Sequence, residues 1–304
     1  VKAVYIERFG GPDALVYGDR PAPKPADDEV LINVKAASIN AADWKQRRGS
    51  YPNLVSPHIL GRDISGTIVA VGAGVTTYRL GDDVFAVTMQ GVEGGYAEQI
   101  ALKAGIVGRK PNGVSHEQAA AMALTGLTAV SAIEETLQLK SGETILIQGG
   151  AGGVAGVAIQ LAKHRGAHVI TTASAANHAY VRSLGADEII DYNEADFVEA
   201  AKGCDAALDT VGGETGERTL LVLRPGGRAA FIGGPPPPSE VDGILALKPP
   251  VRRSAEGMNR VADLIEAGAI RPPEIRTFAL SEAAEAHRIS EARHLRGKLV
   301  LKVP

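Results

Sequence analysis

The chain has 304 residues, 45% of them hydrophobic and 22% charged, with a formal net charge of -3. That length holds two domains or one large one, and the mild acidic balance gives no electrostatic case for nucleic acid or an anionic membrane. Its single cysteine, Cys204, excludes an intrachain disulfide and a four-cysteine zinc lobe.

Residues 2–6 and 30–36 alternate apolar and polar side chains as half-buried strands, with Pro21, Pro23 and Pro25 breaking the chain between them. Lys2, Glu7 and Arg8 interrupt the apolar run that a secretory signal needs, so cytoplasmic residence is expected. Shorter strands are expected at 64–71 and 84–88, separated by Gly72-x-Gly74 and Gly81-Asp82-Asp83. Many short strands punctuated by Gly and Pro predict a compact, irregular barrel.

The texture changes after Pro111-Asn112-Gly113. Ser115, followed by Glu117 and Gln118, caps a helix whose alanine-rich body runs toward Leu137. The uncharged stretch 118–133 carries Thr125, Gly126, Thr128 and Ser131; it is too short and polar for a membrane span and fits a buried helix. Strands at 144–148, 168–173, 188–190, 206–209 and 228–232 then alternate with helices at 154–164, 179–184 and 214–223. Such crossovers predict a parallel doubly wound sheet, hence an α/β class. The four prolines 235–238 fit only an extended surface loop. A helix at 259–267, a strand at 277–280 and a helix from Ser281 follow. The last strand, 297–302, is expected to rejoin the N-terminal barrel.

The chemistry concentrates at glycine turns. Residues 144–157 read as a buried strand, the turn Gly150-x-Gly152-x-x-Ala155 and the opening of a helix. This arrangement presents the amides of Gly150, Gly152, Gly153 and Val154 to a diphosphate, although glycine turns without a ligand are common. The second parallel strand should end near 171–174, where an NAD site normally presents an acid to the ribose; none is present. Ser174, His178 and Arg182 can instead meet a 2′-phosphate, so NADP(H) is favoured over NAD(H), while His178 and Arg182 also fit as plain surface residues. Tyr192, after the third strand, joins the candidate cofactor residues. Val211 with Gly212, and Phe231, Ile232 and Gly233, end two further strands, placed to line the nicotinamide half or to serve as ordinary turns.

No metal site is expected. Cys204 reads as a strand-edge packing residue, and His58, His116, His164, His168, His178, His287 and His294 show no short repeated ligand spacing.

In order along almost the whole chain, several segments resemble the zinc-independent medium-chain dehydrogenase/reductases of quinone oxidoreductase type. They are Ser38-Ile-Asn40-Ala-Ala-Asp43, Arg48-Gly-Ser-Tyr51, Leu60-Gly61-Arg-Asp63-Ile-Ser-Gly66, Gly81-Asp-Asp-Val84, Gly94-Gly-Tyr-Ala-Glu98, Leu124-Thr-Gly-Leu-Thr128 and Arg296-Gly-Lys-Leu-Val300. The resemblance implies a Rossmann doubly wound parallel sheet (112–269) inserted into a discontinuous GroES-like irregular β-barrel domain (1–111 and 270–304). Zinc-dependent relatives carry a cysteine where this chain has Asn40, and His-Glu where it has Arg62-Asp63. Lacking that Lewis acid, the chain is suited to activated acceptors rather than ordinary alcohols.

By the same resemblance, Asn40, Tyr51 and Asp43 lie near the substrate cleft. Asn40 would orient a carbonyl, Tyr51 would donate or stack, and Asp43 would organise the local turn; purely structural roles also fit all three. Thr128, Tyr96 and Lys298 would lie beside the cofactor. Ala155 in place of a third glycine is a permitted departure. The implied activity is NADPH-dependent, metal-free hydride transfer to a quinone or α,β-unsaturated carbonyl compound. The alternatives are an enoyl-thioester or alkenal reductase, or a catalytically weak NADPH-binding regulatory protein. A homodimer is the implied assembly.

Overall fold

The computed structural model describes residues 1–50, 54–238, 243–292 and 295–304. They divide into two compact units: Val1–Leu124 with Arg253–Ala267 and Pro272–Pro304, and Thr125–Arg252 with Gly268–Arg271.

The first unit is built around the strand Glu29–Ser38. Its apolar alternation buries Val30, Ile32 and Val34 on one face. It pairs antiparallel with Asp63–Val71, with Gln99–Lys103 and with the final strand Lys298–Lys302. Ser38 thus lies opposite both Asp63 and Val300, and the C-terminal segment rejoins the N-terminal barrel as expected. Ile64, Ile68, Leu299 and Leu301 complete the core beneath this seam. The helix Ala255–Glu266 starts four residues earlier than expected, because Ser254 caps it by accepting the Gly257 N–H. It packs within this unit, where a Cβ on Gly108 would fall 2.4 Å from the Met258 Cβ.

The second unit is a six-stranded sheet in the order Glu188–Ile190, His168–Thr172, Thr144–Ile147, Cys204–Asp209, Leu223–Phe231, Leu245–Leu247. Every pairing is parallel. Ile145, Leu146 and Ile147 are wholly buried, as a central strand covered on both faces requires. The chain leaves Thr144–Ile147 to one side and later returns on its other side at Cys204–Asp209, which sets a switch point at the carboxyl end of that central strand. Two expectations change. The helix expected at 214–223 is Gly213–Thr219 followed by a single 3-10 turn. The next strand already starts at Leu223 and carries Pro225-Gly226-Gly227 within it, with a register break opposite Cys204 and Ala206. The helix expected to run to Leu137 is α-helical over His116–Val130 and continues as π-helix over Ser131–Thr136. Among the described residues no helix is long and apolar enough to cross a membrane.

Candidate active site

In the first unit, a polar network is assembled from the barrel seam and one short helix. Asn40 precedes the helix Ala41–Arg47, and its backbone N–H donates to Asp43 Oδ2 at 2.7 Å. This is the acid-at-N3 half of a capping box. Asp43 Oδ1 also accepts the Arg62 backbone N–H at 3.0 Å, and Oδ2 accepts the Tyr96 hydroxyl at 3.2 Å. One buried carboxylate therefore ties the segment at residue 40 to the segment at residue 62.

The neighbouring Asp63 holds the side chains. Its Oδ2 accepts from Ser38 Oγ at 2.6 Å and Asn40 Nδ2 at 2.8 Å, while Oδ1 accepts the Leu124 N–H at 3.1 Å. Lys298 Nζ donates to Asn40 Oδ1 at 2.6 Å and to the Ile39 carbonyl at 2.7 Å, and lies 3.9 Å from Asp63 Oδ2. An ammonium only donates and a carboxylate only accepts, so the Asn40 amide is locked in one orientation. One Nδ2 hydrogen remains on a half-buried side chain.

Burial governs the charges. It raises the Asp43 carboxyl to about 6 against the hydrogen bond from Asn40, and it raises Asp63 against the charge of Lys298. Burial in turn lowers the Lys298 ammonium, which the two aspartates oppose. Tyr96 is raised well above the ordinary tyrosine value, first by burial and then by the Asp43 charge. Tyr96 and Lys298, expected beside a cofactor, are both buried in this network. Tyr96 is fully buried, and the Lys298 ammonium is turned inward onto Asn40. Tyr51 lies outside the described residues.

In the second unit, the glycine turn hangs on the neighbouring strand. The Gly149 N–H donates to Thr172 Oγ1 and the Gly150 N–H to the Thr172 carbonyl, both at 2.9 Å. A Cβ on Gly150 would lie 2.3 Å from Thr171 Oγ1, so that position tolerates glycine alone. Gly152 caps the helix Gly153–His164, whose first amides, from Gly153 and Val154, have no intrahelical acceptor. Such a turn fits a diphosphate. Ala155 is buried without conflict, and the close helix approach falls to Gly156, where a Cβ would sit 3.2 Å from Leu184 Cδ1.

The strand His168–Thr172 ends without an acid, as read from the sequence. Ser174 Oγ accepts from Asn177 Nδ2 at 3.1 Å, and Arg182 and Tyr192 are exposed. His178 is placed near an acid that sequence reasoning passed over: Asp191, one strand away, has its Oδ2 3.9 Å from His178 Nε2. The two later glycine turns meet each other. Buried Asp209 accepts the Val211 and Gly212 amides at 3.1 and 3.0 Å, and its carbonyl accepts the Ile232 N–H at 3.0 Å. A Cβ on Gly233 would fall 2.4 Å from the Gly212 nitrogen. Phe231 and Thr128 are buried, Phe231 within the core of the sheet. The signal for Asp209 was present in sequence as Asp-x-x-Gly, an acid able to cap the turn after it.

Among the described residues no three His, Cys, Asp or Glu side chains converge as a metal-ligand group. Between Asn40 and Asp63 the local positive charge is the Lys298 ammonium. Cys204 packs in the sheet core, and its thiol is pushed up to about 12, mainly by burial.

Residues 26–112 match the family model for the alcohol dehydrogenase GroES-like domain, and residues 184–301 match that for zinc-binding dehydrogenase. A quinone oxidoreductase of Pseudomonas aeruginosa is 34% identical over 99% of each chain. An NADPH-dependent alkenal/one oxidoreductase of Arabidopsis thaliana is 32% identical over 99% of this chain and 79% of its own. Among solved structures, the quinone oxidoreductase of Coxiella burnetii superposes with a TM-score of 0.92 at 35% identity, covering 100% of this chain and 99% of its own. That of Escherichia coli, complexed with NADPH, gives 0.90 at 28% identity over 99% of this chain and 100% of its own. The chain belongs to the quinone oxidoreductase family of the zinc-independent medium-chain dehydrogenase/reductase superfamily.

Proposed function

We propose that this protein is an NADPH-dependent reductase of quinones and α,β-unsaturated carbonyl compounds. The observation that carries the reading is the Asn40 amide, held by Lys298 on its oxygen and Asp63 on its nitrogen, with one N–H left for a substrate oxygen. Relatives named for quinone and alkenal/one reduction, and a relative solved with NADPH, support the same substrate and cofactor classes.

When bound, NADPH supplies the hydride. The amides of Gly153 and Val154 would hold its diphosphate, over the turn that Gly150 and Gly152 shape with their own amides turned to Thr172 and Gly149. Ser174 and Arg182 would meet the 2′-phosphate beside His178, and the turns at Val211-Gly212 and Ile232-Gly233 would face the nicotinamide half. The work of Asn40 is electrostatic. Its N–H stabilises the negative charge that develops on the carbonyl oxygen as the conjugated system is reduced. Lys298, donating to the same amide, polarises it and strengthens that N–H. The proton that completes the reduction, on the oxygen of a reduced quinone or the α-carbon of a reduced enone, would come from water.

Stopped-flow mixing of the NADPH-loaded protein with a panel of small quinones and enones should show substrate-dependent loss of reduced cofactor. Asn40→Ala should lower kcat by about 10²-fold, as removal of one such donor does, with NADPH affinity retained. No turnover across the panel despite NADPH binding would sink the reductase reading, and equal or better use of NADH would sink the cofactor choice.

A further inference from the structure

Behind Asn40 runs a line of hydrogen bonds whose directions the structure fixes. The helix Ala41–Arg47 carries Asp43 and Arg47 one turn apart, and the helix Ala283–Glu291 carries His287 and Glu291 at the same spacing. Arg47 Nη1 lies 2.9 Å from His287 Nδ1, and Arg47 Nη2 is paired with Glu291. A guanidinium has no acceptor, so His287 Nδ1 must accept and carries no proton. His287 is buried, which together with the charge of Arg47 lowers it to about 3; the neutral ring therefore bears its proton on Nε2. That nitrogen is 3.3 Å from the Tyr96 hydroxyl and can only donate to it. The single hydroxyl proton of Tyr96 is then directed to Asp43 Oδ2. The rings of Tyr96 and His287 meet edge to face at 5.7 Å.

We propose that His287 and Tyr96 are positioning residues: with Arg47 they hold Asp43 as the ionised acceptor that fixes the backbones of Asn40 and Arg62, and through them the substrate-facing amide of Asn40. Only the kinetic arm of the test below rests on the reductase reading. The charged and titratable groups around Asp43 are Arg62 and Asp63 from one strand and its approach, Lys298 from the final strand, Arg47 from its own helix, and Tyr96 backed by His287. Tyr96 gives Asp43 a hydrogen bond from its side chain. Its loss removes support for the charged form.

Infrared titration of protein labelled with isotopic aspartate, with Asp43→Asn to assign the band, follows this carboxyl without any turnover. Tyr96→Phe should move its protonation to higher pH by about one pH unit or more, as loss of a hydrogen bond to a charged acceptor implies. His287→Phe should move it the same way by less. His287→Gln can still accept from Arg47 and donate to Tyr96, and should restore the wild-type midpoint; this pair decides the matter if Tyr96→Phe does not fold. The acid limb of kcat/KM should follow the same order while the NADPH dissociation constant stays constant. An Asp43 midpoint unmoved in a folded Tyr96→Phe or His287→Phe variant overturns the proposal. A shifted midpoint in a protein that turns over no quinone or enone upholds it and sinks the reductase reading instead.

Discussion

The two units fix their functional geometry by opposite means. At the carboxyl ends of the parallel strands, the backbone is shaped by what is missing: a Cβ on Gly150 or Gly233 would overlap a neighbour at 2.3 or 2.4 Å. At the barrel seam the backbone is shaped by charges that burial makes costly, Asp43, Asp63 and Lys298. The first arrangement is intolerant of size at these glycines, with Thr172 and buried Asp209 accepting the turn amides. The second depends on every partner being present, because a buried charge left unpaired costs far more than the pair contributes. Under the proposed function, the turns would take a ligand that carries its own charge and the seam a neutral substrate that develops charge during reaction.

The most severe way to break the contrast is at the seam. Asp63→Ala would strand the buried Lys298 ammonium and leave the Ser38 hydroxyl and the Asn40 amide without their acceptor. Loss of one partner of a buried charged pair costs about 3–5 kcal/mol, read as the change in urea midpoint at constant slope. Adding Lys298→Met should recover much of that stability while leaving Asn40 unheld and reduction slow. A cost below about 1 kcal/mol, in the range of exposed pairs, would contradict the buried-network account.

The glycine turns predict a smaller and purely steric loss. Gly233→Ala drives a methyl against the Gly212 nitrogen and the Val211 carbonyl carbon, at 2.4 and 2.6 Å from backbone that has no rotamer to change. Overpacking of this kind costs about 1–3 kcal/mol. Gly234, one residue on, has nothing within 4 Å of its Cβ position, so Gly234→Ala should stay within about 0.5 kcal/mol of wild type. Equal melting temperatures for the two alanine variants would show that the turns are not in fact interlocked.

How far each region could be read from sequence follows the same division. The turn at Gly150–Val154, the alternating strands and the helix cap at Ser115 are local patterns, legible because backbone conformation is dictated within a few residues. The parallel sheet follows from such patterns, whereas the return of the last strand to the barrel is an expectation that periodicity alone does not prove. The seam joins Lys298 to Asn40 across 258 positions and His287 to Tyr96 across 191, and no periodicity signals such a pairing. The pairing of His287 with Tyr96, and of Lys298 with Asn40, is therefore not legible in the sequence. Local signals also misled where two overlapped. Pro225-Gly226-Gly227 reads as a turn feeding a strand, whereas the strand already begins at Leu223 and carries the turn within it. Leu245–Leu247 is too short to show an alternation at all.

Acid titration sharpens the contrast most finely, because two groups of the seam act in opposite directions. His287 is lowered to about 3 from an ordinary 6.5, so between those values the folded chain binds fewer protons than the unfolded one, and stability is lost as pH falls. Asp43 is raised to about 6 from 3.8, so between those values the folded chain binds more protons, and stability is gained as pH falls. From about pH 6 to 3.8 the two contributions offset each other, which hides both in the wild type. His287→Gln removes the first alone. Relative to wild type, that variant should gain about 1.4 kcal/mol for each pH unit below 6.5, measured as the difference in urea midpoints at pH 7, 6 and 5. A difference that stays constant over that range would mean that His287 takes up its proton in the folded chain as readily as in the unfolded one, which a ring accepting from the Arg47 guanidinium and buried beside it does not do.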